Sequence, residues 1–213
     1  MFITFEGING CGKSTQASLL FEYLVKNCYK SILTKEPGGG GDFCVSIRKL
    51  LCQTNDISEL TEVFLLLAAR NEHIKKTIIP ALNENKIVVC DRYIDSTFAY
   101  QCYDNDSDKI DIVKKLHEKI GVIIPDITFY IDISVEESEY RLAPLILENV
   151  ERGGEGYKKY DELASEKMQK ILNTYRKIAK EDGRRIIIID GTKSKEEIHK
   201  QIIDSVEKML KQM

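Results

Sequence analysis

The sequence predicts a three-layer α/β fold, with a five-stranded parallel sheet flanked by helices. Three observations carry that reading. Five short apolar runs alternate with longer segments of helical periodicity, the pattern of a parallel sheet wound by right-handed crossovers. The later runs (Ile87-Val88-Val89, Ile127 to Ile131, Ile186 to Ile189) are near-continuous, as strands buried on both faces are. The first run leads at once into a glycine-rich turn and a helix.

In chain order, Phe2 to Phe5 reads as the first strand. Lys13 to Asn27 follows as a helix, with Ala17, Leu20, Phe21 and Leu24 on one face. Ser31 to Thr34 is a second short strand, and Ile47 to Leu51 is helical. Leu60 to Asn83 reads as one long helix. Within it Val63 to Ala69 is apolar without a break, and a helix apolar all round is covered on more than one side, here by its own core and by a second copy of the chain. Lys86 to Asp91, Asp126 to Asp132 and Arg185 to Asp190 are the remaining strands. Helical segments lie between them, and Lys195 to Lys211 closes the chain. There is no internal repeat, and the length suits a single domain over residues 1–213. Ligands of such sheets sit beyond the carboxyl ends of the strands, so functional residues are expected there.

Composition narrows the function. With 43% hydrophobic and 31% charged residues the chain is expected to be globular rather than disordered. Lys plus Arg number 31 against 34 Asp plus Glu, a net charge of −3, which argues against a general nucleic-acid binder and makes any anion site local. No apolar run approaches the ~18 residues of a membrane helix. The N-terminus lacks the basic start and long apolar middle of a secretory signal. The six cysteines are scattered without a C-x-x-C pair, as reduced thiols in a cytoplasmic protein are. His73, His117 and His199 stand far apart, suggest no metal cluster, and are expected at surface or partly buried positions.

Gly7-Ile8-Asn9-Gly10-Cys11-Gly12-Lys13-Ser14 fits G-x-x-x-x-G-K-[ST] and lies between a strand and a helix, the context that motif requires. Its glycines let backbone N–H groups converge on a phosphate, and the helix N-terminus adds free donors. Lys13 is expected to reach the β- and γ-phosphates of a nucleoside triphosphate, and Ser14 to ligate Mg²⁺. A second acidic site follows the third strand, at Asp91-Arg92-Tyr93. An Asp at a strand end in the same sheet suits Mg²⁺, and the adjacent Arg92 suits phosphate. An acid holding metal beside an arginine holding phosphate is what transfer between two anionic substrates needs. The fold is therefore expected in its P-loop NTPase form.

These motifs occur with others in a recognisable order: the phosphate loop, Glu36-Pro37-Gly38-Gly39, Ile47-Arg48-Lys49-Leu50-Leu51, Ala68-Ala69-Arg70, and Asp91-Arg92-Tyr93 through Ala99-Tyr100-Gln101. In this the sequence resembles the thymidylate kinase family, bacterial type, from Met1 to the final helix. The resemblance implies transfer of the γ-phosphoryl group of ATP to dTMP. It implies that Gly7, Ile8, Asn9, Gly10, Cys11, Gly12, Lys13, Ser14 and Thr15 cradle ATP, that Ser14 and Asp91 serve Mg²⁺, and that Arg92 bridges donor and acceptor phosphates. It further implies Arg48 at the dTMP phosphate, Arg70 at the thymine base, and Thr97, Tyr100 and Gln101 along the nucleoside pocket. Glu36-Pro37 is expected to carry a cis peptide, and Arg141 to lie near the adenine.

The chain departs from the family pattern at several points. Asn9 stands where an acidic residue usually faces the sugar 3′-hydroxyl, and Leu66 where a phenylalanine often stacks on thymine. Cys102 follows Gln101 where glycine is common. The phosphate loop offers no arginine. The extra transition-state cation is therefore expected from a lid at about residues 141–161, with Arg152 as first choice and Lys158 or Lys159 as second. The resemblance also implies a homodimer. Another nucleoside monophosphate or deoxynucleoside kinase, a nucleotide-binding switch and an inactive paralogue remain as alternatives, although no N-K-x-D guanine signature is present.

Overall fold

The computed structural model describes residues 1–54, 57–151 and 165–211. All five strands are present: β1 (Phe2–Glu6), β2 (Ser31–Lys35), β3 (Ile87–Asp91), β4 (Ile127–Asp132) and β5 (Ile186–Asp190). They form one sheet in the order β2-β3-β1-β4-β5, every pairing parallel. Position in the sheet explains the sequence of each strand. The inner strands β1, β3 and β4 are buried almost throughout, and the edge strands β2 and β5 only in part.

Alternate residues of each strand serve opposite faces. Ile3, Phe5, Val89, Phe129 and Ile131 pack with Leu20 and Leu24 of α1 (Lys13–Lys26) and with Ile198, Ile202 and Val206 of the last helix, α9 (Lys195–Leu210). Phe2, Val88 and Cys90 pack with Ile74, Ile78 and Ala81 on the other face. Thr4 and Glu6 share that second face with Phe2. Polar side chains there need partners, and Thr4 shares a 2.6 Å hydrogen bond with Thr128.

Between the strands run α2 (Asp42–Gln53), α3 (Glu59–His73), α4 (Ile79–Asn83), α5 (Ile94–Gln101), α6 (Ser107–Ile120), α7 (Val135–Glu151) and α8 (Ser165–Glu181). Several begin at side-chain caps. Ser58 accepts from the Thr61 amide, Asp106 from those of Asp108 and Lys109, and Ser194 and Glu197 form a reciprocal capping box.

One expectation is corrected. The helix predicted over Leu60–Asn83 is divided: a π-helical turn over Ile74–Ile78 separates α3 from α4. Pro80, with no N–H to donate and a ring that crowds the carbonyl four residues back, follows that turn directly, which accounts for the widening. The helical piece at Ile47–Leu51 belongs to the longer α2. Of the region predicted as a lid, residues 141–151 continue α7, while 152–164 lie outside the described residues.

Candidate active site

The carboxyl ends of β1, β2 and β3 open on a cleft of about 740 Å³. At β1 the chain turns through the phosphate loop into α1. Gly7, Gly10 and Gly12 all have positive φ, with Gly12 as the left-handed N-cap of the helix. At Gly7 a Cβ would lie 2.6 Å from the Ile131 carbonyl, so the loop can lie this close to β4 only without a side chain there. Lys13 is buried, with Nζ 3.4 Å from the Ile8 carbonyl. Burial, and then the nearby Arg92 cation, lower its pKa. This ammonium is therefore suited to a negatively charged partner, such as a phosphate.

Ser14 donates a hydrogen bond to Asp91 Oδ2 across the β1–β3 junction. Asp91 Oδ1 is buried without a hydrogen-bond partner. A hydroxyl and a half-satisfied carboxylate facing the phosphate loop fit a hard cation that keeps most of its water, as Mg²⁺ does. Among the described residues no group of three or more His, Cys, Asp or Glu side chains stands together as a protein-only cage.

The next residue, Arg92, has φ +68°, a left-handed conformation costing a non-glycine residue about 1–2 kcal/mol. Its amide donates to Phe5 O at 2.9 Å, and the following amide, of Tyr93, donates to Glu6 Oε1 at 2.7 Å. The side chain is caged. NH1 donates to Ser96 Oγ (3.0 Å) and Tyr175 Oη (3.1 Å), and NH2 to Asn9 Oδ1 (2.5 Å) and Tyr100 Oη (3.2 Å). The guanidinium lies over the Tyr100 ring at 4.9 Å. Every one of these oxygens is uncharged. Burial opposes its charge, but Tyr100, Tyr175, Asp91 and Glu6 together outweigh burial and hold the guanidinium firmly protonated.

Arg70 has the opposite environment. It is 3% exposed, and its Nε donates to Glu36 Oε2 at 2.7 Å in a buried ion pair. NH1 meets Thr97 Oγ1 (2.9 Å) and His117 Nε2 (2.6 Å), and NH2 donates to the Tyr93 carbonyl (2.9 Å). The other Glu36 oxygen meets His73 Nδ1 at 2.8 Å, and His73 Nε2 meets Thr34 Oγ1 at 2.7 Å. Burial acts to raise the Glu36 pKa, but Arg70 and His73 override it and the net shift is downward. Burial, and then the Arg70 charge, pull His117 from its ordinary 6.5 to about 3, so its Nε2 is a lone-pair acceptor. The Glu36-Pro37 peptide is cis, as expected. The glycines after it give clearance: a Cβ on Gly39 would lie 2.4 Å from Thr34 Oγ1 and 2.5 Å from His73 Nε2. Arg48 NH1 donates to the Pro37 carbonyl at 2.7 Å and crosses over Gly38.

The structure brings most of the sequence-predicted residues to this one cleft. Asn9, Gly10, Lys13, Ser14, Glu36, Pro37, Arg48, Leu66, Arg70, Asp91, Arg92, Thr97, Tyr100 and Gln101 all line it. Gln101 Nε2 donates to Glu62 Oε1 at 2.7 Å. Ile8 and Cys11 are buried beneath the loop, Gly7 and Gly12 shape its backbone, and Thr15 is exposed on the first turn of α1. Arg141 is not at the cleft wall: it pairs with Glu137 at 2.6 Å and donates to the Gly191 carbonyl at 2.9 Å, beyond β5. Arg152, Lys158 and Lys159 lie outside the described residues. Asn9 is turned so that its carbonyl accepts from Arg92. The expectation of surface or partly buried positions for the histidines is corrected at two of them, since His73 and His117 are fully buried.

Sequence reasoning missed Glu6, Ser96 and Tyr175. Glu6 is 1% exposed and takes four bonds: from the Tyr93 amide, the Ser96 amide (3.3 Å), Ser96 Oγ (2.6 Å) and Tyr175 Oη (3.0 Å). Burial, and then the Asp95 charge, raise its pKa to about 7. A charged residue ending an otherwise apolar first strand was the available signal. Tyr175 arrives from α8, and no local pattern marks it.

A lysine-bearing amide loop on one side of a cleft and an arginine caged by neutral oxygens on the other can grip two phosphate groups together. That is the arrangement of a P-loop kinase whose acceptor is itself phosphorylated. The description "Thymidylate kinase" belongs to the family model that matches residues 5–202. Thymidylate kinase of Wolbachia pipientis wMel is 39% identical over 97% of this chain and 100% of its own length, and that of Thermoanaerobacter sp. strain X514 is 38% identical over 98% of each. The crystal structure of thymidylate kinase from Ehrlichia chaffeensis superposes with a TM-score of 0.73 at 34% identity, covering 97% of this chain and 98% of that one. The chain belongs to the thymidylate kinase family.

Proposed function

We propose that this chain transfers the γ-phosphoryl group of ATP to dTMP, giving dTDP and ADP on the route to dTTP. The observation that carries the reading is the contrast between the two arginines of the cleft, Arg70 buried and Arg92 half-buried. Among the described residues Arg92 donates to neutral oxygens, so its charge is available to phosphate. Arg70 is already balanced by Glu36, which suits it to hydrogen-bond an uncharged base.

Lys13 and the amides of residues 7–15 hold the donor phosphates. Arg92 draws the acceptor phosphate toward the γ-phosphorus. An acceptor oxygen forms the new P–O bond as the bond to the ADP oxygen breaks, and the two cations oppose the charge spreading over the transferring group. Ser14 and Asp91 would hold Mg²⁺, which would supply charge neutralisation on the donor phosphates. Arg48 takes the acceptor phosphate. Arg70 reads the base, Leu66 walls it, and Glu36-Pro37, Asn9, Thr97, Tyr100 and Gln101 shape the nucleoside pocket. Arg141 serves the adenine end, and Arg152, with Lys158 or Lys159 behind it, supplies the lid cation within a single domain of residues 1–213.

A second copy of the chain pairs through the apolar side of α3, where Leu60 and Phe64 are exposed. No helix of the described residues is long and apolar enough to cross a membrane, in keeping with a cytoplasmic kinase acting on small molecules. A panel of nucleoside monophosphates in a coupled ADP-release assay tests the reading. dTMP should give the highest kcat/KM, and a purine monophosphate in first place would overturn it.

A further inference from the structure

Among the described residues no carboxylate is hydrogen-bonded to Arg92, yet both oxygens that receive its NH1 are hydrogen-bonded to one. Ser96 Oγ and Tyr175 Oη lie 2.6 and 3.0 Å from Glu6 Oε2, and 3.0 and 3.1 Å from Arg92 NH1. A hydroxyl has one proton to give and two lone pairs. An ionised carboxylate can only accept. Ser96 Oγ and Tyr175 Oη also lie 2.8 Å apart, so at least one of the two gives its proton to Glu6 directly, relaying the other, and both keep lone pairs for the guanidinium. Among the described residues no Asp or Glu forms an ion pair with Arg92. The two hydroxyls therefore act as spacers: they fix the cation without neutralising it. Glu6 also accepts from the Tyr93 amide, one residue past the left-handed Arg92, and so pins the turn that aims the side chain.

We infer that Glu6, acting through the hydroxyls of Ser96 and Tyr175, is the positioning residue that keeps Arg92 aimed into the cleft with its charge available. The inference rests on the proposed role of Arg92 in phosphoryl transfer. A glutamine at position 6 reverses the relay. Its amide nitrogen must donate where Oε2 accepted, so the hydroxyls turn their lone pairs to it and their protons toward Arg92. The ring of Tyr175 is held separately, stacked on Tyr130 at 5.4 Å and edge-on to Tyr100 at 6.2 Å, so Tyr175→Phe removes the relay with little loss of packing.

The test is a double-mutant cycle on the full chain with ATP and dTMP, at about pH 8, where the Glu6 carboxyl is ionised. Glu6→Gln and Tyr175→Phe should each lower kcat on the order of tenfold to a hundredfold, the scale of one or two hydrogen bonds to a charged group. The KM for ATP should stay within about twofold. In an Arg92→Ala background either change should cost almost nothing further, because the group they position is gone. Costs that persist undiminished without Arg92, or a Tyr175→Phe enzyme with unchanged kcat, would overturn the inference; the Tyr175 variant decides the matter if Glu6→Gln fails to fold. A wild-type enzyme inactive on dTMP would instead overturn the functional reading.

Discussion

Replacing Glu36 by alanine removes the counter-charge of the most deeply buried cation at the cleft. Arg70 and Glu36 are 3% and 7% exposed, and their 2.7 Å contact is matched by a 2.8 Å contact from Glu36 to His73. Removing one partner of such a pair leaves an uncompensated charge, at a cost of about 3–5 kcal/mol. Two buried hydrogen bonds vanish with it, although the cavity admits water from the cleft and moderates the loss. We therefore expect a destabilisation of about 3–4 kcal/mol. Glu36→Gln keeps one acceptor but loses the charge and the second acceptor, so about 1.5–3 kcal/mol is expected, the range of a hydrogen bond to a charged group. Urea unfolding measures both, and the midpoint should fall with the slope unchanged. Because Arg70 is held at the acceptor side, the glutamine variant should also raise the KM for dTMP while leaving that for ATP alone. Glu36→Ala stability within about 1 kcal/mol of wild type would refute the reasoning.

Other outcomes follow from the same geometry. Gly39→Ala places a methyl 2.4 Å from Thr34 Oγ1 and 2.5 Å from the buried His73 ring, and should cost about 1–3 kcal/mol in urea unfolding with loss of dTMP affinity; a neutral change would mean the turn repacks freely. Asp91→Asn and Ser14→Ala should each raise the Mg²⁺ concentration for half-maximal activity, read from a magnesium titration at fixed ATP, and superimposable titrations would remove both residues from the metal site. Acidification should act on stability through three groups. His117, held near 3 against an ordinary 6.5, binds its proton preferentially in the unfolded chain, so its contribution is lost as pH drops below about 6.5. Glu36, with its folded pKa depressed, adds a loss below about 4.5, while Glu6, raised to about 7, takes up its proton in the folded state and adds stability between about 7 and 4.5, against the His117 loss. Relative to wild type, His117→Asn should therefore gain urea stability at about pH 5 compared with about pH 7.5, and an identical pH response of the two midpoints would mean His117 is not held neutral.

The sequence made the sheet legible because central strands must be apolar on both faces. β1, β3 and β4 were readable as runs, and the motifs at their carboxyl ends were local in the chain. What remained hidden was assembled across distance. Tyr175 meets Arg92 over 83 positions and Glu6 over 169, joined only by the way α8 packs on the sheet. His117 occupies a core-facing position of α6, with Val113 one turn before it, and is read as core unless its Arg70 partner is known. His73 falls at the end of α3, where only the fold of the Glu36 loop shows that it is enclosed. The π-helical turn before Pro80 was hidden by an apolar pattern that runs unbroken through it. The Asn9 side chain, readable in the sequence only as a lost carboxylate, is in the structure an acceptor for Arg92.

The central claim is that the phosphate loop and Arg92 hold two phosphates for direct transfer between them. Incubating the enzyme with ATP labelled in its γ-phosphate, dTMP and Mg²⁺, and then separating the nucleotides, tests that most directly. The account predicts that the label passes into the β-phosphate of dTDP, one equivalent for each ADP formed. Label released as inorganic phosphate at the same rate with and without dTMP would contradict it.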